Sequence, residues 1–75
     1  MATARRQLMV CLRNVGSEVS LERRKIYAAL SDADAARHGQ VRIIDESGED
    51  YLFPATCFAP IELPQAVRRA VLAAV

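Results

Sequence analysis

The chain has 75 residues, and 52% of them are hydrophobic, although 13 are alanines, which bury little area. A chain of this length forms one small domain, residues 1–75, and buries only about 60% of the surface that its unfolded form exposes. Ten basic and nine acidic residues give a net charge of +1, which argues against a dedicated nucleic-acid-binding module, because such modules concentrate an excess of positive charge on one face.

The N-terminal half predicts two strands separated by turns. Residues 7–13, QLMVCLR, are apolar and β-prone, and the segment NVGSE that follows them favours a turn. Residues 19–27 are open between strand and helix, because their Glu, Arg and Lys residues favour a helix whereas the apolar residues alternate. For residues 25–30 we expect a strand.

Residues 32–38 predict a helical turn. Ser31 and Asp34 have the spacing of a capping box, and Gly39 ends the turn in the left-handed conformation. Arg37 and His38 suit the negative end of the helix dipole. We therefore expect His38, the only histidine, at a helix end rather than in a catalytic site.

Residues 40–54 predict a β-hairpin, QVRIID and DYLFP, with Ser47 and Gly48 at its tip. A loop of two or four residues places Ile43 opposite Leu52. The same register places Asp45 opposite Asp50, and it stacks a second pair of like charges beside them at the tip. Both faces of the hairpin carry apolar groups, so we expect a small curled barrel rather than a sheet with one solvent-exposed face.

The C-terminal part predicts a short strand and a helix. In ATCFAPIEL, a tight turn leads into a strand in which Pro60 belongs at a sheet edge or a strand start. Pro64 suits the first position of a helix. Val67 and Val71 belong to an apolar stripe at helical spacing, which predicts a helix near residues 65–73. The predicted fold class is mainly β with short helices.

The pattern of residues 25–63 resembles a Src-homology-3 barrel. In YLFPATCFAPIEL a strand ending in proline is followed by small residues, Phe58 and a short last strand, and the preceding hairpin resembles the central hairpin of that barrel. The resemblance implies a small antiparallel barrel with a core of about residues 25–63, and it implies no ligand, since small barrels host many functions. The chain has no Trp, so polyproline binding of the Src-homology-3 kind is not implied.

The hairpin DESGEDYL, followed by proline, is also similar to that of a group of short uncharacterised bacterial proteins, which implies a bacterial protein but no activity. The apolar run of residues 8–12 is too short for a signal peptide, and no run reaches the length of a membrane span. We therefore expect a cytoplasmic protein with reduced thiols at Cys11 and Cys57. No cofactor or metal site is expected, because two distant cysteines and one histidine lack the spacing of a zinc site.

The acidic tip is the candidate binding site. Its spacing does not match a calcium loop, and a catalytic carboxylate pair would need a nucleophile or an oxyanion site that the sequence does not indicate. A solvated turn is the simplest interpretation of such a charge run. Opposed like charges destabilise a hairpin, however, so either residues 23–25, RRK, neutralise them or a basic partner does. The residues of this candidate site are Asp45, Glu46, Glu49, Asp50 and Tyr51.

Two function classes follow, and neither is an enzyme. The first is a non-catalytic protein-binding or regulatory module of unknown partner, which uses the acidic tip and its aromatic neighbour. The alternative is a nucleic-acid-associated accessory protein, whose affinity would fall steeply with rising salt. Its basic patch would consist of Arg23, Arg24, Lys25, Arg37 and Arg42. The oligomeric state is left open.

Overall fold

The computed structural model describes residues 6–74, with the side chains of residues 6–73. Its elements in chain order are β1 (Arg6–Cys11), β2 (Ile26–Leu30), α1 (Ala33–Arg37), β3 (Gln40–Ile44), β4 (Asp50–Pro54), a 3₁₀ turn (Ala55–Cys57), β5 (Phe58–Pro60) and α2 (Gln65–Ala74). The strands form one antiparallel sheet in the order β4-β3-β2-β1-β5. Within the described residues β4 and β5 are not paired with each other, so the sheet is not closed. The predicted mainly β fold with short helices is confirmed in this form.

The boundaries of several elements match the sequence. The expected strand over residues 25–30 is β2, and the expected terminal helix is α2. Pro60 lies in β5, which is an edge strand, as predicted. Residues 19–25 form turns rather than a strand or a helix. Because β1 lies between β2 and β5, the sheet extends on the N-terminal side of residues 25–63.

The start of α1 differs from the prediction. Asp32, not Ser31, is the N-cap, and its carboxylate accepts a hydrogen bond of 2.9 Å from the Ala35 N–H. The second carboxylate oxygen of Asp32 accepts a hydrogen bond of 2.9 Å from Arg42 Nε on β3. A carboxylate that binds a helix N–H and a guanidinium at once fixes the helix start more strongly than a hydroxyl does. The end of α1 is as expected, with His38 as the C-cap.

The predicted register of the hairpin is wrong by one residue. Ile43 lies opposite Tyr51, not Leu52, and Ile44 lies opposite Asp50. The Asp45 N–H donates to the Glu49 carbonyl at 3.0 Å and closes a loop of three residues, 46–48. A three-residue loop of this kind combines a type I turn with one residue in the left-handed region.

Asp45 and Gly48 explain why this loop forms. The Asp45 carboxylate accepts hydrogen bonds from the Ser47 N–H at 2.9 Å and from the Ser47 hydroxyl at 2.5 Å. The Gly48 N–H donates to the Asp45 carbonyl at 3.0 Å, and Gly48 has a φ of 83°. Glycine adopts this conformation without the steric cost that a side chain adds. The turn chemistry of Asp45 therefore sets the register of the whole hairpin.

One face of the sheet encloses the main core. The Phe58 ring lies 6.3 Å from the Tyr27 ring, edge to face, and 6.1 Å from the Phe53 ring. Aromatic contacts of this geometry stabilise beyond the area that they bury. The buried residues of this cluster are Cys11, Leu21, Tyr27, Ala29, Ile43, Phe53 and Phe58.

The opposite face of the central strands is also covered. Leu8 and Ala28 are paired across β1 and β2 and are 2% and 1% exposed. Val71 of α2 lines the same groove as Ile26 and Ile44, which places the helix on this face. No helix of the described residues is long and apolar enough to cross a membrane.

Arg24 has a strained backbone in the connection between β1 and β2. Its φ is 70°, in the left-handed region that costs a residue with a side chain about 1–2 kcal/mol. The Arg24 N–H donates to the Cys11 carbonyl at 2.7 Å, and the Cys11 N–H donates to the Lys25 carbonyl at 2.9 Å. Two residues thus oppose Cys11, which is the pattern of a β-bulge whose first position favours glycine.

The substitution Arg24→Gly is therefore expected to raise the free energy of unfolding by about 0.5–1 kcal/mol, since the greater freedom of glycine in the unfolded chain offsets part of the relief. Urea denaturation measures the change. Arg23→Gly is the matched control, because Arg23 is also exposed but has no positive φ. An equal effect of both substitutions would contradict the assignment of strain to Arg24.

Candidate functional site

The acidic hairpin, residues 45–51, is anchored to the connection between β1 and β2. The Glu46 N–H donates to the Ser20 carbonyl at 3.0 Å. Asp45 is only 7% exposed, and its carboxylate is held within its own turn by Ser47. The hairpin tip is thus a packed part of the fold, and its carboxylates have different surroundings.

Glu46 has a cation and a hydroxyl as partners. Lys25 Nζ lies 2.6 Å from Glu46 Oε2, and the Tyr27 hydroxyl donates to the same oxygen at 2.5 Å. The Tyr27 oxygen in turn accepts a hydrogen bond of 2.7 Å from the Glu22 N–H. Lys25 therefore neutralises the charge of Glu46. This agrees with the first of the two interpretations of the acidic tip, in which residues 23–25 supply the positive charge.

The pKa directions agree with this network. The hydrogen bond from Lys25, followed by the one from Tyr27, lowers the pKa of Glu46. Burial, followed by the hydrogen bond to Glu46, raises the pKa of the Tyr27 hydroxyl well above its usual range. Both shifts favour a charged carboxylate beside a protonated phenol, so the network keeps one protonation state across the neutral range.

Asp50 is paired with Arg42. Arg42 Nη1 lies 3.0 Å from Asp50 Oδ2, and the same guanidinium binds the N-cap Asp32. The Asp32 hydrogen bond, followed by the Asp50 one, raises the pKa of Arg42. Asp50 lies opposite Ile44 rather than Asp45, so the predicted stacking of Asp45 on Asp50 is wrong.

Glu49 differs from Glu46 and Asp50 in having no cationic partner among the described residues, and from the buried Asp45 in being exposed. In the part of the chain that the structure describes, no Lys, Arg or His nitrogen lies within 4.0 Å of its carboxylate. Its neighbour Tyr51 is 49% exposed, and the Tyr51 hydroxyl donates to Glu49 Oε2 at 3.4 Å. The Glu49 charge is the main cause of the raised pKa of Tyr51. Glu49 and Tyr51 thus combine uncompensated negative charge with an accessible aromatic ring.

The five residues of the basic patch differ in whether their positive charge is paired with a carboxylate. Lys25, Arg37 and Arg42 each form an ion pair, with Glu46, Asp34 and Asp32 respectively. Arg23 and Arg24 are exposed, and no carboxylate of the described residues forms an ion pair with either. Two of the five cations therefore keep an uncompensated charge, both in the connection between β1 and β2.

Sequence reasoning did not identify Leu52 as a surface residue of interest. Leu52 lies on β4, the edge strand of the sheet, and is 41% exposed. Pro54, two residues further on, is the sequence feature that indicates how the backbone of Leu52 is oriented. Proline has no N–H, so within a sheet it occupies a position whose backbone faces away from the neighbouring strand, and Leu52 shares that orientation.

No metal-binding arrangement occurs among the described residues, since no three or more His, Cys, Asp or Glu side chains are grouped to hold an ion. Cys11 and Cys57 are free thiols. Burial raises the pKa of the Cys11 thiol, which disfavours the reactive thiolate.

No protein-family model, curated protein or solved structure matches the chain. The contacts, charges and exposure of the acidic hairpin are therefore the basis of the proposed function.

Proposed function

We propose that this domain is a non-catalytic protein-binding module that contacts a basic region of a partner protein through Glu49 and Tyr51. The observation that carries the proposal is a carboxylate without a cationic partner among the described residues, placed beside a half-exposed aromatic ring. Exposed charge mainly speeds encounter and fixes register. The ring supplies an anchor on which a Lys or Arg of the partner can stack.

The remaining residues of the acidic tip have supporting roles in this proposal. Asp45 shapes the turn, Glu46 binds the hairpin to the β1–β2 connection, and Asp50 orients Arg42. These contacts hold Glu49 and Tyr51 in a fixed geometry, which lowers the entropic cost of binding.

The finer assignment of the fold, a small barrel of the Src-homology-3 type in a cytoplasmic bacterial protein, is part of the same proposal. It is supported by the order in which the strands pair and by the 3₁₀ turn, Ala55–Cys57, between Pro54 and the short last strand. Two free cysteines agree with a reducing compartment. In folds of this kind, loops and edges around a rigid core carry the binding residues.

Nucleic-acid binding is the second candidate, and exposed Arg23 and Arg24 favour it. It has less support, because the other three cations of the proposed patch already have carboxylate partners. Affinity for a nucleic acid grows with the number of phosphates neutralised, and two arginines neutralise few.

The experiment measures binding of a fluorescein-labelled peptide of alternating Arg and Val, about nine residues long to match the usual range of strand lengths, by fluorescence anisotropy at low salt. We expect Glu49→Gln and Tyr51→Ser each to weaken binding about fivefold, the size of an exposed charge or cation–π contact. Glu62→Gln, another exposed glutamate outside the hairpin, is the control and should leave the affinity unchanged.

Two outcomes contradict the proposal. One is equal affinity of the wild type and Glu49→Gln for the Arg–Val peptide. The other is equal binding of a Glu–Val peptide of the same length. A single-stranded oligonucleotide tested in parallel separates the second candidate, since its binding would depend on Arg23 and Arg24 and fall steeply with salt.

A further inference from the structure

The hydrogen bonds at the two ends of the β3–β4 pair show which backbone groups of β4 bond to β3. The Asp45 N–H donates to the Glu49 carbonyl at 3.0 Å, and at the other end the Ala55 N–H donates to the Gly39 carbonyl at 2.9 Å. In an antiparallel pair, bonded and non-bonded residues alternate along each strand. The odd-numbered residues of β4 therefore bond to β3, and the backbone groups of its even-numbered residues point away from β3.

The outward groups of β4 form an open edge. Asp50 and Leu52 each present one N–H and one carbonyl there, and Pro54 presents a carbonyl only. All three residues are exposed, and within the described residues no other strand pairs with this side of β4. A row of unpaired donors and acceptors is a template for an added strand.

The other edge of the sheet, β5, is blocked. The Cys57 carbonyl accepts from the Leu12 N–H directly after β1, and the Ile61 N–H donates to the Leu8 carbonyl of β1. Phe58 and Pro60 are therefore the outward-facing residues of β5. The Phe58 N–H already donates to the Ala55 carbonyl as the cap of the 3₁₀ turn, and Pro60 has no N–H. Since β5 has no free N–H to offer and β4 has two, an added strand pairs with β4.

Charge and side-chain alternation indicate which segment fits β4. The four carboxylates of the acidic hairpin exceed the two cations paired with them, Lys25 and Arg42, so the local charge is negative. Along β4, Glu49 and Tyr51 share one face of the sheet and Leu52 lies on the other. An extended segment with Lys or Arg at alternate positions places its cations beside Glu49 and Tyr51, and its intervening apolar residues beside Leu52.

We infer that the partner of the proposed binding module is an extended segment of alternating basic and apolar residues, added as a sixth strand to the free edge of β4. The inference rests on the proposed function and specifies its partner. Backbone hydrogen bonds supply the affinity, and alternate side chains supply the specificity, as in other cases of strand addition.

The main test is Leu52→Pro, which removes an outward N–H that β3 does not use. Leu52→Ala is the matched control, because it removes the same side chain but keeps the N–H. We expect Leu52→Pro to weaken binding of the Arg–Val peptide at least tenfold and Leu52→Ala to weaken it less than threefold. Circular dichroism and urea denaturation establish that both variants are folded.

A second test needs no change to the protein. The Arg–Val peptide is N-methylated at every other residue. Two versions are made, and each lacks the N–H groups along one of the two edges of the extended peptide. We expect one version to lose binding and the other to keep it. Amide hydrogen exchange of the wild type should also show that Asp50 and Leu52 become protected when the unmodified peptide binds.

The outcomes separate this inference from the proposed function. If Leu52→Pro, both methylated peptides and the two amides show no effect while Glu49→Gln still weakens binding, strand addition is wrong and the binding module stands. If binding does not depend on Glu49 at all, the proposed function is wrong. A concentration-dependent dimer with Asp50 and Leu52 protected in the absence of peptide would assign the edge to a second copy of this chain and overturn the basic segment.

Discussion

Phe58→Ala is expected to lower the free energy of unfolding by about 3–5 kcal/mol, the range for truncating a buried aromatic residue. Phe58 is 5% exposed and contacts the rings of both Tyr27 and Phe53. The substitution removes two aromatic contacts and leaves a cavity at the junction of β2, β4 and β5. At about 0.05–0.15 kcal/mol per residue, a domain of this size has little stability beyond that loss, so much of the variant should be unfolded at room temperature.

Urea denaturation followed by circular dichroism measures the loss. Val19→Ala is the control, because Val19 is 96% exposed and an exposed substitution changes stability by less than about 0.5 kcal/mol. If Phe58→Ala loses less than about 1 kcal/mol, the aromatic cluster is not the centre of the core.

Glu46→Ala is expected to lower the free energy of unfolding by about 1–3 kcal/mol, the cost of leaving a largely buried polar group without its partner. The group in question is the Tyr27 hydroxyl, whose proton loses its acceptor, since Tyr27 is 3% exposed. The ion pair with Lys25 adds little, because both side chains are partly exposed, at 31% and 44%. Glu49→Ala on the same hairpin is the matched control and should stay within about 0.5 kcal/mol of the wild type.

The pH dependence of this difference provides a second measurement. The pKa of Glu46 is lowered in the folded state, so its charge contributes stability that is present above the unfolded pKa and lost as the pH falls through the folded pKa. The gap between the wild type and Glu46→Ala should therefore narrow below about pH 4, near the ordinary pKa of a glutamate. A gap that stays constant on acidification would show that the charge of Glu46 plays no part.

The sequence predicts the elements of this fold better than their registers. Alternating apolar residues indicate β2 to β4, and the stripe containing Val67 and Val71 indicates α2, because these patterns are local. The hairpin register depends on loops of two, three or four residues that differ little in energy. The deciding contact, the Asp45 carboxylate with Ser47, follows from a turn conformation rather than from periodicity.

The candidate site shows the same division between local and distant information. A run of carboxylates at residues 45–50 is visible in the sequence, but their partners are not. Lys25 is 21 residues from Glu46, and no spacing rule relates the two. The open edge of β4 is equally invisible, because it depends on the order of all the strands in the sheet.

The contrast between the two edges has a consequence for self-assembly. In polymer chemistry, a molecule with two reactive ends grows into a chain, whereas a molecule with one reactive end stops growth. Among the described strands, β4 is the reactive end, because Phe58 and Pro60 leave no free N–H on the outward side of β5. A strand that occupies β4 therefore uses the free edge of the described sheet, so association through these two edges is expected to stop at a pair rather than grow into a fibre.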